Sequence, residues 1–192
     1  MNELENLRLP RALTAIQEET AAVGFPLASD LLTGSILRTL VAAKPAGHFL
    51  ELGTGTGVGT SWILDGMDQE SRLWSFDSDS AVQAVARKYL GHDARVTFCN
   101  QDAGAWLGNA RAAQFDLIFA DAWPGKYSHL DDALRALKAG GLYVIDDMLP
   151  QPAWPEGHSA NVAALLSSLE ARTDLTLTRL CWSTGLLIAA KT

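Results

Sequence analysis

Glu51-Leu52-Gly53-Thr54-Gly55-Thr56-Gly57-Val58-Gly59 is the stretch whose reading decides the fold. Before it, His48-Phe49-Leu50-Glu51-Leu52 is a short apolar run closed by glycines, which marks a buried strand. After it, Val58 to Met67 reads as a helix. A strand, a tight turn and a helix open a parallel βαβ unit. Gly53, Gly55, Gly57 and Gly59 recur with period two. Aligning G-x-G-x-x-G at Gly53 puts Val58 in the last position, and aligning it at Gly55 puts Thr60 there. The dinucleotide fingerprint fails in both frames, which disfavours a nicotinamide site. Four glycines so close together weaken local structure, so they point to a backbone that a ligand must approach closely.

The same alternation continues outward. Strands are expected at Leu73–Phe76, Arg95–Cys99, Phe115–Ala120 and Leu142–Ile145, with helices at 79–90, 103–110, 129–138 and 158–171. Ahead of the glycine turn, residues 10–24 and 29–43 carry two helices, the first between Pro10 and Gly24-Pro26, the second capped by Ser29 or Asp30. Gly34 weakens that second helix unless something packs against its backbone. Two closing β runs, about 175–181 and 186–190, flank Trp182-Ser183-Thr184-Gly185 and read as a hairpin. The expectation is an α/β, doubly wound, seven-stranded and mostly parallel sheet with an antiparallel last strand. It forms a single domain over 1–192, with amino-terminal helices in 1–45 and the core in 46–192.

Composition narrows the function. A net charge of −7 speaks against a nucleic-acid or anionic-membrane binder. Cys99 and Cys181 have no zinc-type spacing and read as small apolar residues. Met1 to Leu9 lacks a signal-peptide core, and no run reaches membrane-span length. A cytoplasmic enzyme follows as the expectation.

Ligands of doubly wound sheets bind beyond the carboxyl ends of the strands. Acids stand there throughout: Glu51, Asp77, Asp102, Asp121, and Asp146 with Asp147. Asp77 suits the hydroxyls of a ribose, while Ser78 and Asp79 beside it suit a helix cap. Asp102 with Ala103 suits an adenine edge, or a cap on the next helix.

Together these residues resemble a class I methyltransferase: Glu51-x-Gly53-x-Gly55-x-Gly57, Asp77, Asp102-Ala103 and Phe115-Asp116-Leu117-Ile118-Phe119. Within that superfamily the chain is similar to the cation-dependent O-methyltransferases of the catechol and caffeoyl-CoA types. The residues are Asp116 to Trp123, Tyr127, Gly140-Gly141, Ile145-Asp146-Asp147 and Gly185 to Lys191. The resemblance covers about residues 29 to 192. It implies S-adenosylmethionine held by Glu51, Gly53, Thr54, Gly55, Gly57, Asp77, Ser78, Asp102, Ala103 and Asp121. It also implies Mg²⁺ or a similar divalent cation on Asp121, Asp146 and Asp147. Three neighbouring carboxylates repel one another, and a hard cation with oxygen ligands relieves this.

Two departures bear on the metal. Asp147 stands where the family has Asn, and Pro124 stands where it has a lysine, with Lys126 two residues later. Lys126 or His158 is the candidate proton acceptor. His158 follows the loop Leu149 to Gly157, and Trp123 and Trp154 flank the presumed cleft. His129, His48 and His92 read as helix-start, strand-edge and turn residues. The expected partner is a small hydroxylated aromatic acceptor, with a second copy of the chain able to supply part of the lid as a homodimer. The alternatives are a metal-independent methyltransferase, a nucleotide-binding oxidoreductase and a non-catalytic adenosine-ligand sensor.

Overall fold

The computed structural model describes residues 3–5, 7–152 and 154–192. Met1, Asn2 and Asn6 of the amino-terminal segment, and Ala153 of the loop before His158, lie outside them. Seven strands form one sheet: β1 (His48–Leu52), β2 (Arg72–Asp77), β3 (Val96–Asn100), β4 (Phe115–Ala120), β5 (Leu137–Ile145), β6 (Leu175–Leu180) and β7 (Leu186–Lys191). Their order is β3-β2-β1-β4-β5-β7-β6. The first five pair in parallel, and β7 runs antiparallel to both β5 and β6. The expected sheet and its antiparallel last strand are therefore present.

The helices are α1 (Leu13–Ala22), α2 (Leu31–Ala42), α3 (Val58–Gly66), α4 (Ser80–Leu90), α5 (Ala103–Leu107), α6 (Trp123–Lys126), α7 (Leu130–Ala136) and α8 (His158–Glu170). Central strands bury both faces, as parallel sheets do. On β1 and β4, Phe49, Leu117 and Phe119 join the cluster beneath α1, α2 and α3. Leu50, Leu52, Ile118 and Ala120 join the opposite cluster, with Leu134 of α7 and Leu165 of α8. Glu51 thus points to the α3 side, away from Leu50 and Leu52.

Gly34 has the packing reason its position requires: a Cβ there would overlap the Trp62 indole. Several boundaries move. The first helix starts at Leu13 rather than at Pro10. Asp30 alone caps α2, accepting from Leu32 N and Thr33 N. β5 begins at Leu137, because Phe115 pairs with Leu137 before a register shift brings Leu117 opposite Leu142. The helix expected over 129–138 therefore ends at Ala136, and Leu137, Lys138 and the Ala139-Gly140-Gly141 stretch lie within that strand.

Candidate functional site

The chain winds from β1 to β2 and β3 on one side, then crosses to β4 and β5 on the other. β1 and β4 are therefore neighbours at the point where the winding reverses, the place where doubly wound sheets open a crevice. Asp121 N donates to Leu52 O at 2.8 Å, so the residues after both strands meet there. Gly53 has φ +101°, and a Cβ on it would lie 2.6 Å from the Asp121 carbonyl oxygen. Gly57, at φ +94°, is the residue before α3, and a Cβ there would stand 2.7 Å from the Ala86 Cβ. The period-two glycines thus mark a backbone that turns left-handed three times, at Gly53, Gly55 and Gly57.

A cleft of about 280 Å³ opens over this turn, near the lower end of the roughly 300–1,000 Å³ usual for small-molecule sites. Its floor includes Gly53, Thr54 and Gly55, and its walls include Asp77, Ser78, Asp102, Ala103 and Asp121. Asp77 accepts from Gly55 N at 2.8 Å and from Asp79 N at 2.9 Å. One oxygen thus braces the glycine turn and the other the start of the next helix. Asp79, not Ser78, caps α4. Asp102 caps α5, accepting from Ala105 N at 2.7 Å, and also lines the cleft. Capping and ligand-facing positions coincide in this residue.

Glu51 lies under the cleft floor and is fully buried. Its Oε2 accepts from Thr60 Oγ1 and Ser75 Oγ, both at 2.5 Å. Among the described residues its Oε1 is buried with no partner, and it stands where a Cβ on Gly59 would meet it at 2.8 Å. Burial pushes its carboxyl up to about 7, against the two hydroxyl donors. An unpartnered buried carboxylate oxygen leaves room for a donor, and the ammonium of an amino-acid moiety is one. Residues and cleft therefore fit an amino-acid-bearing adenosine ligand such as S-adenosylmethionine.

The roof comes from residues that the sequence did not assign to the site. Phe25, Leu27, Ala28 and Ser29, between α1 and α2, line the cleft from above. Thr20 Oγ1, which donates to Ile16 O, shares a 2.7 Å hydrogen bond with Thr56 Oγ1 and ties α1 to the glycine turn. Ser29, read as an alternative cap, instead donates to Asp121 Oδ2 at 3.0 Å. The only sequence signal was the Gly24-Phe25-Pro26 break between two helices.

The fit to a divalent cation is poor. Among the described residues no group of three or more His, Cys, Asp or Glu side chains gathers to hold an ion. Asp146 is buried, and its Oδ1 accepts from Thr184 Oγ1 at 2.5 Å and Asp147 N at 2.7 Å. Asp147 follows with φ +60°. Lys126 bridges the backbone of Asp146 and the carboxyl of Asp121, its Nζ 2.9 Å from the Asp146 carbonyl oxygen and 3.5 Å from Asp121 Oδ1. Burial and the charges of Asp146 and Asp147 raise the Asp121 carboxyl well above the usual range, with Lys126 opposing. Burial likewise brings Asp146 to about 6.

His158 sits in an aromatic group with Trp154, Tyr127 and Trp123. Its ring centroid is 4.6 Å from Trp154, 5.1 Å from Tyr127 and 6.2 Å from Trp123. Its Nε2 shares a 3.1 Å hydrogen bond with Tyr127 Oη, and its Nδ1 is buried without a partner among the described residues. Burial and the charge of Asp147 raise the Tyr127 hydroxyl to about 12. Trp123 is the chain neighbour of Ala122 and Pro124, which line the cleft, and it is 53% exposed. His129 instead pairs with Asp132 at 3.0 Å, away from this group. Among the described residues no helix is long and apolar enough to cross a membrane.

A family model described as a methyltransferase domain matches residues 50–148. A catechol O-methyltransferase from Niastella koreensis is 30% identical over 146 residues, 72% of this chain and 66% of its own length. The chain spans between about half and six-tenths of the length of the mycobacterial relatives it matches; for one from Mycolicibacterium vanbaalenii it covers 61%, at 27% identity over 69% of this chain. The solved O-methyltransferase TomG from Streptomyces achromogenes, in complex with S-adenosylmethionine, is similar in fold. Its TM-score is 0.85 at 23% identity, covering 98% of this chain and 92% of that one.

Proposed function

Because the chain belongs to the family defined by that methyltransferase domain, we propose that it transfers the methyl group of S-adenosylmethionine to a hydroxyl oxygen of a small aromatic acceptor. The observation that carries this reading is the cleft at the β1–β4 reversal, where Asp77, Asp102 and the glycine turn converge above the unpartnered Glu51 Oε1. The bound ligand supplies a methyl group on a sulfonium that departs as a neutral thioether.

The chain's own residues then position and deprotonate. Asp77 accepts from the ribose hydroxyls, Asp102 and Ala103 meet the adenine edge, and Glu51 balances the ammonium. Ser78, Thr54, Gly55 and Gly57 shape the wall and floor around them. Trp123, Tyr127 and Trp154 form an aromatic wall for a flat acceptor. The acceptor oxygen bonds to the methyl carbon as the carbon–sulfur bond breaks, a displacement that needs mainly alignment. The hydroxyl proton passes to His158, whose Nδ1 has no partner. The helices of 1–45 and the core of 46–192 act as one unit, and a homodimer would extend the lid.

The catechol O-methyltransferase relative supports oxygen as the acceptor atom. The proposal carries no divalent cation, because the Asp121 carboxyl faces Ser29 and Lys126, and Asp146 Oδ1 already accepts from Thr184 Oγ1 and Asp147 N. The oxidoreductase alternative is set aside, since both the glycine spacing and the family oppose it. Titration calorimetry with S-adenosylmethionine, followed by turnover across a panel of phenols, tests the reading. Saturable binding and a methylated phenol are expected. Binding without turnover on any hydroxylated aromatic would replace it with a ligand sensor.

A further inference from the structure

We propose that Lys126 is a built-in cation whose ammonium takes the place that a divalent ion would otherwise fill among Asp121, Asp146 and Asp147. This deepens the metal-free reading of the same site and rests on it.

The lysine is 5% exposed, and a buried ammonium is stable only with partners. Those partners are the Asp146 carbonyl at 2.9 Å and Asp121 Oδ1 at 3.5 Å. The turn that delivers it is constructed for the purpose. Pro124 and Gly125 leave helical geometry inside α6, with Gly125 at φ +92°. Tyr143 Oη donates to Gly125 O at 2.7 Å, and Gly125 N donates to Ser128 O at 2.7 Å. A Cβ at Gly125 would lie 2.5 Å from Leu52 Cδ1 and 2.9 Å from Tyr143 Oη, so the turn closes tightly on the core. Closure in this form directs Lys126 inward, beneath the acids.

Hard divalent cations need about six or more oxygens at roughly 2.0–2.6 Å. Here a positive charge already sits among the acids, and it would repel a second cation. The hydrogen bonds from Ser29 and Thr184 occupy further carboxylate oxygens.

The test is Mn²⁺ binding, followed by electron paramagnetic resonance at mildly alkaline pH, on the full chain and on Lys126→Met and Lys126→Gln. The native chain should show no saturable binding. Folded variants, checked by circular dichroism, should bind Mn²⁺ saturably, at least roughly tenfold above any residual signal of the native chain. Adding Asp121→Asn to either variant should abolish that gain. Saturable binding by the native chain that is lost on Asp121→Asn would overturn the proposal, and so would folded Lys126 variants that gain nothing. The native measurement needs no substitution at Lys126. No arm needs turnover, so a failure of the methyl-transfer reading shows separately, as absence of S-adenosylmethionine binding or product.

Discussion

Glu51→Gln should flatten the pH dependence of stability. Glu51 has its proton held at about 7 in the folded chain against 4.5 for a free side chain. The folded state therefore binds this proton more tightly than the unfolded one. The resulting stability is fully present below about pH 4.5 and is lost as pH rises through about 7. The gap corresponds to about 3 kcal/mol. Gln keeps an oxygen able to accept from Thr60 and Ser75, but those bonds become neutral and weaker. It also sets an amide where Oε1 now stands unpartnered. At pH 5, where Glu51 is mostly protonated, the variant should equal or fall slightly below the native chain. At pH 8 it should gain by about 1–3 kcal/mol relative to its pH 5 difference. Urea midpoints across this range, with an unchanged denaturant slope, give the measurement. Asp121 and Asp146 also titrate upward, but they are common to both proteins and cancel in the difference. Parallel stability curves for the two proteins would refute the reasoning. A corollary is that binding a ligand whose ammonium meets Oε1 should release a proton near pH 6–7, visible as a buffer-dependent binding enthalpy.

Asp77→Ala should weaken S-adenosylmethionine binding by roughly tenfold or more, from at least one charge-assisted hydrogen bond of about 1.5–3 kcal/mol; unchanged affinity by calorimetry would remove Asp77 from the site. His158→Gln should lower kcat by roughly a hundredfold with cofactor affinity preserved, and an unaltered rate would move the proton elsewhere. Gly53→Ala should destabilise by about 3 kcal/mol or more, since left-handed strain adds to a clash with backbone. Gly157→Ala, at φ +81° with nothing within 4 Å of its Cβ, should lose only about 1–2 kcal/mol. Equal losses in denaturant unfolding would show that the Asp121 carbonyl is not the obstacle.

The sheet was legible because apolar runs ending in glycine or acid carry both strand position and strand polarity. Phe115 to Ala120 followed by Asp121 is such a run, and so is Leu142 to Ile145 followed by Asp146. The early part of β5 was hidden, since Leu137 and Lys138 continue the helical pattern of 129–138 locally and it is pairing with Phe115 that places Leu137 in the sheet. At the site, carboxylates at strand ends were legible as a set, while their partners were not. Nothing local to Lys126 states that it is buried, because that depends on Gly125 folding against Leu52 and Tyr143. The three acids invited a metal in sequence. In space their oxygens meet Ser29 and Thr184, which lie 92 and 38 residues away from Asp121 and Asp146.

The strap over the cleft is fixed at its two ends and idle in the middle. Thr20 binds Thr56 at one end, and at the other Asp30 caps α2 and receives the Ser183 hydroxyl. Between them, Leu27 is 69% exposed and belongs to neither apolar cluster. Substitutions at Leu27 and Ala28 can therefore reshape the mouth of the cleft at almost no expense to folding. Selection has an inexpensive dial there, separate from the glycine turn and the acids. Diverging acceptor choice within such a scaffold would be written first in this strap, while the floor beneath it stays constant.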